Sequence, residues 1–273
     1  MTSRFTELET ETYYDAQDVI YRSIWDEDGM VHWGFFDDTE ETDFLAACEK
    51  LNRMMVEKGK INQESNVLDV GCGNGTVAMW LARETGARVT GIDLSGVRIT
   101  NAQEELARLQ PGLRERLAFK KASATALHYP DGTFSHVWSQ AVIYHVPDKR
   151  SVLKEVHRVL SEGGILVFDD LLRPKRNITP EAQTYVYDRL LFDTEFTFSS
   201  YQQALKDQGF EVLEALDLSA HLRQSYLCLA DRTPKNDTSD SAEHFEWLAK
   251  AYVETAAAVD KDELGWGLFV CRK

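Results

Sequence analysis

The chain has 273 residues, of which 43% are hydrophobic, and this is enough to form the core of one α/β domain with insertions. Its 45 acidic residues outnumber 30 basic ones, and the net charge of −15 argues against a nucleic-acid ligand, because phosphate contacts need a basic surface. The composition therefore favours a protein that binds a small molecule.

The cysteines and the hydropathy pattern indicate a cytoplasmic protein. The four cysteines lie far apart, without the paired spacing of a metal site, and are interpreted as reduced thiols. No signal-peptide pattern opens the chain, and no apolar run is long enough to cross a bilayer. We therefore expect neither a bound metal nor membrane insertion, while the oligomeric state stays open.

Residues 1–60 are predicted to form a helical lid segment. Residues 1–50 contain 14 acidic and 3 basic side chains, and most of these charges are interpreted as a solvated helical face. The segment also concentrates aromatic rings, which could cover a cationic cofactor or simply dock the segment onto the core. The rings are Tyr13, Tyr14, Trp25, Trp33, Phe35 and Phe36. Residues 43–58 have the apolar spacing of an amphipathic helix that leads into the first strand.

The central motif is Asp69-x-Gly71-x-Gly73-x-Gly75, which follows a short apolar strand. Glycine suits a sharp turn against a ligand, because a Cβ would hold the backbone away and positive φ costs glycine little. A second strand, 88–93, ends in Asp93, whose carboxylate can accept both hydroxyls of a ribose. The glycine spacing differs from the G-x-G-x-x-G of dinucleotide sites, and Asp69 would repel phosphate but attract a cationic amino-acid group. An NAD site is therefore disfavoured.

The following segments alternate between helix and strand, which predicts a doubly wound parallel sheet. A third strand begins at Leu117, and a fourth, at 135–139, places Gln140 at its carboxyl end. Asp148 is predicted to cap a helix that Gly163-Gly164 ends, before a strand at 165–168 that finishes in Asp169-Asp170. The remaining predicted elements are helices at 97–109, 180–193, 199–207 and 242–258, strands at 210–218 and 267–271, and a surface loop at 231–242.

The glycine motif resembles the first motif of class I S-adenosylmethionine (SAM) dependent methyltransferases, and Asp93 matches their ribose-binding acid. Further motifs look like those of the sarcosine/dimethylglycine N-methyltransferase group and, more broadly, of tocopherol and prenyl diphosphate methyltransferases. These motifs are Val137-Trp138-Ser139-Gln140, His145, Pro147-Asp148-Lys149-Arg150, Val159-Leu160-x-x-Gly163-Gly164, and Tyr187-Asp188-Arg189 with Asp193. The likeness spans most of residues 12–215, whereas residues 216–262 carry none.

The resemblance implies a seven-stranded Rossmann-like methyltransferase sheet whose last strand inserts antiparallel. The core would then be residues 61–273, with insertions at about 172–198 and 219–262. The departures lie near the substrate end. Ala141 stands where that group has an acid, and the Val142-Ile143-Tyr144 wall is bulkier, so a small polar amino acid would gain little from it.

The resemblance and the pattern together assign S-adenosyl-L-methionine as cofactor. Its proposed contacts are Trp33, Asp69, Gly71, Gly73, Gly75, Asp93, Leu94, Ser123, Ala124 and Gln140. In many methyltransferases an acid precedes the alanine at 124 and holds the adenine amino group. Here Ser123 stands there, so backbone groups and a weaker hydroxyl are expected to bind adenine.

The proposed acceptor contacts are Tyr13, Tyr14, Trp25 and Arg189, and the proposed catalytic residues are His145, Tyr144 and Asp170. His145 could instead be a satisfied histidine at a helix start. Arg189 could pair with Asp188 or Asp193 on a surface helix.

The expected reaction is methyl transfer to a small molecule, with N-methylation of an amine favoured. The alternatives are C-methylation of a prenylated compound, in which Asp170 or His145 would quench a carbocation, and a non-catalytic SAM-binding protein.

Overall fold

The computed structural model describes residues 4–37, 43–192, 194–234 and 242–273, and its centre is a seven-stranded sheet. The strands are β1 Asn66–Val70, β2 Arg88–Asp93, β3 Leu117–Lys121, β4 Phe134–Gln140, β5 Leu160–Leu172, β6 Glu211–Asp217 and β7 Gly265–Arg272. Their order in the sheet is β3-β2-β1-β4-β5-β7-β6. The strands β1 to β5 run parallel, and β7 runs antiparallel to both β5 and β6. The predicted sheet and its antiparallel last strand are confirmed.

Helices cover both faces of this sheet. They are α1 Glu7–Ile24, α2 Phe44–Gly59, α3 Thr76–Thr85, α4 Gly96–Arg108, α5 Pro111–Arg114, α6 Lys149–Val159, α7 Pro180–Ala182, α8 Phe198–Asp207, α9 Ser219–Arg232 and α10 Ala242–Asp260. Residues such as Leu166 and Val167 on β5 point to opposite faces and enter different cores, as the period of a strand requires. One core holds α6 and α8, and the other holds α2, α3, α9 and α10.

Local chemistry explains where several helices begin. Thr6 and Glu9 form a capping box at the start of α1, in which each side chain satisfies a backbone N–H of the other. Ser95 caps α4, and Asp148 caps α6 as predicted, accepting from the Ser151 backbone N–H at 3.0 Å. No helix within the described ranges has both the length and the apolar character needed to span a membrane.

The structure corrects several predicted boundaries. Gly163 and Gly164 do not end a helix, because α6 already stops at Val159 and both glycines lie inside β5. A Cβ on Gly164 would lie 2.8 Å from the Ser161 carbonyl oxygen, so the glycine permits a close backbone approach within the sheet. The helix predicted over 180–193 is shorter, since α7 continues as a π-helix only to Asp188.

The helix α9 was not predicted, although it buries Leu222, Tyr226 and Leu229. It also contains Asp231 and Arg232, the first two residues of the predicted loop at 231–242, whereas residues 235–241 lie outside the described part of the chain. The apolar residues Leu227, Cys228 and Ala230 lie off the buried stripe of α9 and weaken its helical pattern.

Candidate active site

The glycine turn after β1 fixes the acid at the end of β2. Gly71 and Cys72 donate their backbone N–H groups to the Ile92 carbonyl, at 2.8 and 2.9 Å. The backbone N–H groups of Gly73 and Ser95 donate to the two carboxylate oxygens of Asp93, at 2.9 and 2.8 Å. Asp93 is therefore held in one orientation at the carboxyl edge of the sheet, where ligands of open α/β sheets bind.

The three glycines of the turn all have positive φ, but they serve different purposes. A Cβ on Gly71 would lie 2.3 Å from Val142, and one on Gly75 would lie 2.7 Å from Phe119. At Gly73 the nearest atom is Arg98 Nη1 at 3.9 Å, so this position faces open space. Gly75 is not among the described residues that line the cavity, and it packs against Phe119 rather than meeting a ligand as predicted.

A cavity opens at the carboxyl ends of β1, β2, β3 and β4, and its empty space, including the open mouth, is about 1290 Å³. Asp69 lies in its wall, 3% exposed, and its Oδ2 has no hydrogen-bond partner. Burial, with a smaller contribution from Asp93, raises the pKa of Asp69 to about 8. Such a carboxyl group is suited to a cationic ligand, which would satisfy the free oxygen and favour ionisation.

The helix α1 closes one side of this cavity through four acidic side chains spaced one turn apart. Their contacts are Glu7 with Ser123, Glu11 with Lys121, Asp15 with Ser95, and Asp18 with Arg98. Because these partners follow β2 and β3 or belong to α4, the helix is attached directly to the glycine-loop side of the sheet. The interpretation of these charges as a solvated face is therefore wrong for this stripe.

Asp18 makes the deepest of these attachments. It is 3% exposed and accepts hydrogen bonds from Arg98 Nε at 3.1 Å, Asn74 Nδ2 at 3.0 Å and Asn101 Nδ2 at 3.2 Å. Asn74 belongs to the glycine turn, so α1 is linked to the loop itself. A buried carboxylate with three donors is well compensated, whereas removing its partners would leave an unpaired buried charge.

Aromatic rings from distant parts of the chain form the other end of the cavity, here called the aromatic chamber. Its rings are Tyr14, Tyr21, Trp25, Trp33, Tyr144 and Tyr226. The ring centroid of Trp33 lies 6.2 Å from that of Tyr144 and 6.2 Å from that of Tyr226. Faces of such rings attract cations and exclude water.

His145 lies beside this chamber and contacts Tyr14 of α1. The Tyr14 hydroxyl and His145 Nε2 are joined by a hydrogen bond, and the Tyr144 ring lies 3.8 Å from the imidazole, measured between ring centroids. Burial, together with the charges of Lys149 and Arg98, holds the pKa of His145 well below its usual range. The imidazole is therefore neutral near pH 7.

Three proposed site residues are placed elsewhere. Asp170 is fully buried away from the cavity, and its two oxygens accept from the Tyr144 backbone N–H at 2.8 Å and the Tyr201 hydroxyl at 2.9 Å. It therefore joins β5 to the turn at Tyr144 and to α8, and it does not line the cavity. Tyr13 and Arg189 line a second cavity, between α1 and α10.

Arg189 is buried, contrary to the surface pairing considered from the sequence. It donates to the Tyr185 carbonyl at 2.7 Å and to Thr255 Oγ1 at 3.1 Å, and its guanidinium lies over the rings of Tyr226 and Tyr252. Asp188 instead accepts from Arg4 at 3.2 Å, and Asp193 lies outside the described residues.

The other proposed residues line the main cavity. They are Tyr14, Trp25, Trp33, Asp69, Gly71, Gly73, Asp93, Leu94, Ser123, Ala124, Gln140, Tyr144 and His145. The amide of Gln140 is already used within the protein, since it accepts from Trp138 Nε1 at 3.0 Å and donates to Asn52 Oδ1 at 2.9 Å. Gln140 thus supports the wall and offers a ligand little beyond contact.

Sequence reasoning missed several residues of the cavity wall. They include Glu7, Glu11, Tyr21, His32, Arg98 and Tyr226. The spacing of the acids at 7, 11, 15 and 18 places them on one face of a helix, and this signal could have shown that the stripe is a contact surface. Tyr226 gave no such signal, because it belongs to the unpredicted α9.

The fold and the site together define a SAM-dependent methyltransferase, and comparison with known proteins agrees. The family model described as a methyltransferase domain matches residues 68–168. The chain is 32% identical to the methyltransferase GfsG of Streptomyces halstedii over 79% of this chain and 77% of that protein. It is 29% identical to the sarcosine/dimethylglycine N-methyltransferase of Halorhodospira halochloris over the full length of both.

The cyclopropane synthase MmaA2 from Mycobacterium tuberculosis has the same fold, with a TM-score of 0.85 at 16% identity, covering 100% of this chain and 99% of that one. The 273-residue chain itself belongs to the class I SAM-dependent methyltransferase family.

The residues present fit S-adenosyl-L-methionine. Asp69 offers an unpaired buried oxygen to the cationic amino group, and the fixed carboxylate of Asp93 suits the two ribose hydroxyls. Gly73 leaves open the space that a Cβ would fill. Asp69, Gly73 and Asp93 lie one after another along the carboxyl edge of the sheet. The cofactor would therefore extend from β1 across β2 toward β3.

Proposed function

We propose that this methyltransferase N-methylates a small-molecule amine carried on an apolar or aromatic framework. The observation that carries the proposal is the aromatic chamber with a neutral, buried His145 at its edge. The name of the Halorhodospira halochloris relative, a sarcosine/dimethylglycine N-methyltransferase, supports an amine acceptor.

The charges around the cavity indicate what the amine is attached to. Its described acidic lining residues are Glu7, Glu11, Asp69 and Asp93, which belong to the strand ends or to the stripe of α1 that faces them. Arg98 is the one lysine or arginine among the described lining residues. Asp18 balances its charge through Nε at 3.1 Å, while its Nη2 has no hydrogen-bond partner. A free carboxylate on the acceptor would find no unpaired cation there, and its desolvation would cost free energy. We therefore favour an uncharged framework over a small amino acid.

The chain's own residues then have three tasks. Bound SAM supplies an electrophilic methyl group on a sulfonium, and the chamber rings exclude water while favouring positive charge. In the tautomer of His145 that carries its proton on Nδ1, the Tyr14 hydroxyl donates to Nε2 and keeps a lone pair that can accept an amine N–H. As the nitrogen–methyl bond forms, the amine proton can pass to the Tyr14 oxygen while the Tyr14 proton moves to His145 Nε2.

The lid assignment follows from the same contacts. Tyr14 belongs to α1, so the hydroxyl that meets the acceptor is in place only when α1 is attached to the strand ends. We propose that residues 1–60 act as a lid on a core formed by residues 61–273. The four cysteines are all free, which supports a reducing compartment such as the cytoplasm.

C-methylation of an alkene is the second candidate, because the chamber rings could stabilise a carbocation. That reaction needs a base to remove a proton from the cation. Asp170, one of the two bases proposed for it, lies away from the cavity with both oxygens hydrogen-bonded. His145 alone remains, and in either reaction a proton reaches its Nε2 through Tyr14. The amine reaction makes fewer demands on these residues, because an amine can also lose its proton to solvent.

Binding and turnover should be tested separately. Calorimetry should show binding of S-adenosylhomocysteine and no binding of NAD, and the reverse result would refute the cofactor assignment. A screen of amines, amino acids and prenylated compounds with methyl-labelled SAM should then place the label on nitrogen. Label only on carbon or oxygen would refute N-methylation, and binding without any transfer would support the non-catalytic alternative.

A further inference from the structure

The nucleobase end of the cavity lacks the acid that many relatives use there. Asp69 is the last but one residue of β1 and Asp93 is the last residue of β2. The next strand in the sheet, β3, is followed by Ala122, Ser123 and Ala124. With the amino-acid group at Asp69 and the ribose at Asp93, the base must extend toward the end of β3. Ser123 alone would offer a neutral hydroxyl to a base that carries an amino donor.

Glu7, the first residue of α1, brings a carboxylate to this place. Its Oε1 accepts from Ser123 Oγ at 2.7 Å and from Thr125 Oγ1 at 3.3 Å, and Glu7 lines the same cavity. The Thr125 backbone N–H donates to Ser123 Oγ at 3.1 Å, which orients the hydroxyl toward Glu7. The first turn of a helix also stabilises negative charge. The carboxylate is thus held at the end of β3 from outside the core.

We infer that Glu7 reads the adenine ring, its carboxylate accepting a hydrogen bond from the 6-amino group. A carboxylate accepts hydrogen bonds and cannot donate them, so it favours a 6-amino purine and disfavours a 6-oxo purine. The carboxylate that many methyltransferases carry at the end of this strand is thus supplied here by α1. Selectivity for the base therefore depends on the docking of α1, which also carries Tyr14. The inference rests on the proposed SAM site but not on the identity of the acceptor.

The test compares two ligands that differ only in the base. The dissociation constants of S-adenosyl-L-homocysteine and S-inosyl-L-homocysteine are measured by calorimetry for the wild type, Glu7→Gln and Glu7→Ala. The wild type should prefer the adenosyl ligand by about 10- to 100-fold, the usual contribution of a charge-assisted hydrogen bond. In Glu7→Gln the preference should fall toward unity, because an amide can accept from an amino group and donate to an oxo group.

Asp15→Asn is the matched control. Asp15 lies on the same face of α1 and contacts Ser95, but it is not among the described residues that line the cavity. Looser docking of the helix should weaken both ligands equally in this variant and leave the preference intact. The double variant Glu7→Gln/Ser123→Asp returns an acid to the end of β3 and should restore the preference.

Several outcomes would overturn the inference. An unchanged preference in both Glu7 variants would show that other groups read the base. Equal weakening of both ligands in folded Glu7→Gln, as in Asp15→Asn, would reduce Glu7 to a docking residue. Failure of the double variant to restore the preference would place the base elsewhere. If the wild type bound neither ligand, the proposed SAM site itself would be refuted.

Discussion

Asp69 and Asp170 are the same residue type, lie on parallel strands of one sheet and are both buried, yet the structure gives them opposite roles. Burial raises the pKa of Asp69 to about 8 and that of Asp170 to about 7. Asp69 keeps a free oxygen at the cavity wall, whereas both oxygens of Asp170 accept hydrogen bonds from the protein. Unfilled hydrogen-bonding capacity that faces a cavity, and not residue type or burial, marks the acid that binds a ligand.

The largest expected effect is on the glycine that leaves the cofactor space open. Gly73→Val should abolish detectable binding of S-adenosylhomocysteine, because its side chain would occupy the open space beside Asp93. Calorimetry measures binding, and circular dichroism measures the fold.

Gly71→Ala provides the contrast within the same turn. Its Cβ would overlap Val142, so this variant should lose thermal stability as well as binding. A folded Gly73→Val that still binds the ligand would show that the turn is misassigned.

Next comes the direct test of the two acids. Asp69→Asn should weaken S-adenosylhomocysteine binding by about 10- to 100-fold, because it removes one charge-assisted hydrogen bond to the amino group. Asp170→Asn should leave that affinity nearly unchanged, since Asp170 does not line the cavity. Equal losses in the two variants would contradict the distinction drawn between them.

The pH dependence of binding sharpens the same comparison. Asp69 must be ionised to bind a cation, and its pKa is about 8 in the free protein. Affinity should therefore increase as the pH rises toward 8, by about 10- to 100-fold in total, which is the loss expected for the neutral side chain of Asp69→Asn, and then level off. This slope should vanish in Asp69→Asn and persist in Asp170→Asn.

The next prediction concerns turnover and His145. His145 lines the cavity, whereas Asp170 does not. His145→Ala should reduce turnover by about 10- to 100-fold, within the range of acid–base assistance, and higher pH should restore much of it because the amine then deprotonates in solution. Rate profiles against pH on the identified acceptor provide the measurement. An amine mechanism is untenable if His145→Ala or Asp170→Asn is inactive at every pH yet binds both ligands.

The smallest effect concerns stability and the neighbour of Asp170. Asp169 is fully buried and accepts from Trp266 Nε1 at 2.8 Å and from the Ala141 backbone N–H at 3.2 Å, and burial raises its pKa from 3.8 to about 8. The folded state then holds a proton that the unfolded state releases. Its stabilising contribution is present at low pH and is lost as the pH rises through 8.

The contribution of Asp169 to the melting temperature of the ligand-free protein should therefore fall as the pH rises from about 4 to 8, and comparison with a variant isolates it. In Asp169→Asn the amide oxygen can keep both hydrogen bonds without titrating, so this dependence should flatten. An identical pH profile in wild type and variant would show that Asp169 does not hold the proton.

The sequence predicts the fold correctly where short-range patterns determine the structure. The glycine turn, the strand 88–93 and the cap at Asp148 appear as predicted, because each depends on neighbours within a few residues. The helix α9 and the continuation of β5 through Gly163-Gly164 were missed. In β5, pairing with the neighbouring strands outweighs the local preference of the two glycines, whereas α9 was missed because its apolar residues do not all lie on one face.

The residues of the candidate site likewise fall into those that local sequence predicts and those that long-range packing brings together. The sequence by itself determined the acid at 69, the open glycine at 73 and the acid at 93, because a tight strand-to-helix turn and the acid that ends the next strand need these residue types at this spacing. Only the tertiary structure decided which other groups join them. The Tyr14–His145 contact spans 131 residues, and that of Glu7 with Ser123 spans 116. Whether a buried carboxylate is left free, as in Asp69, or fully bonded, as in Asp170, depends on side chains that the folded core brings to it, and no local pattern contains that information.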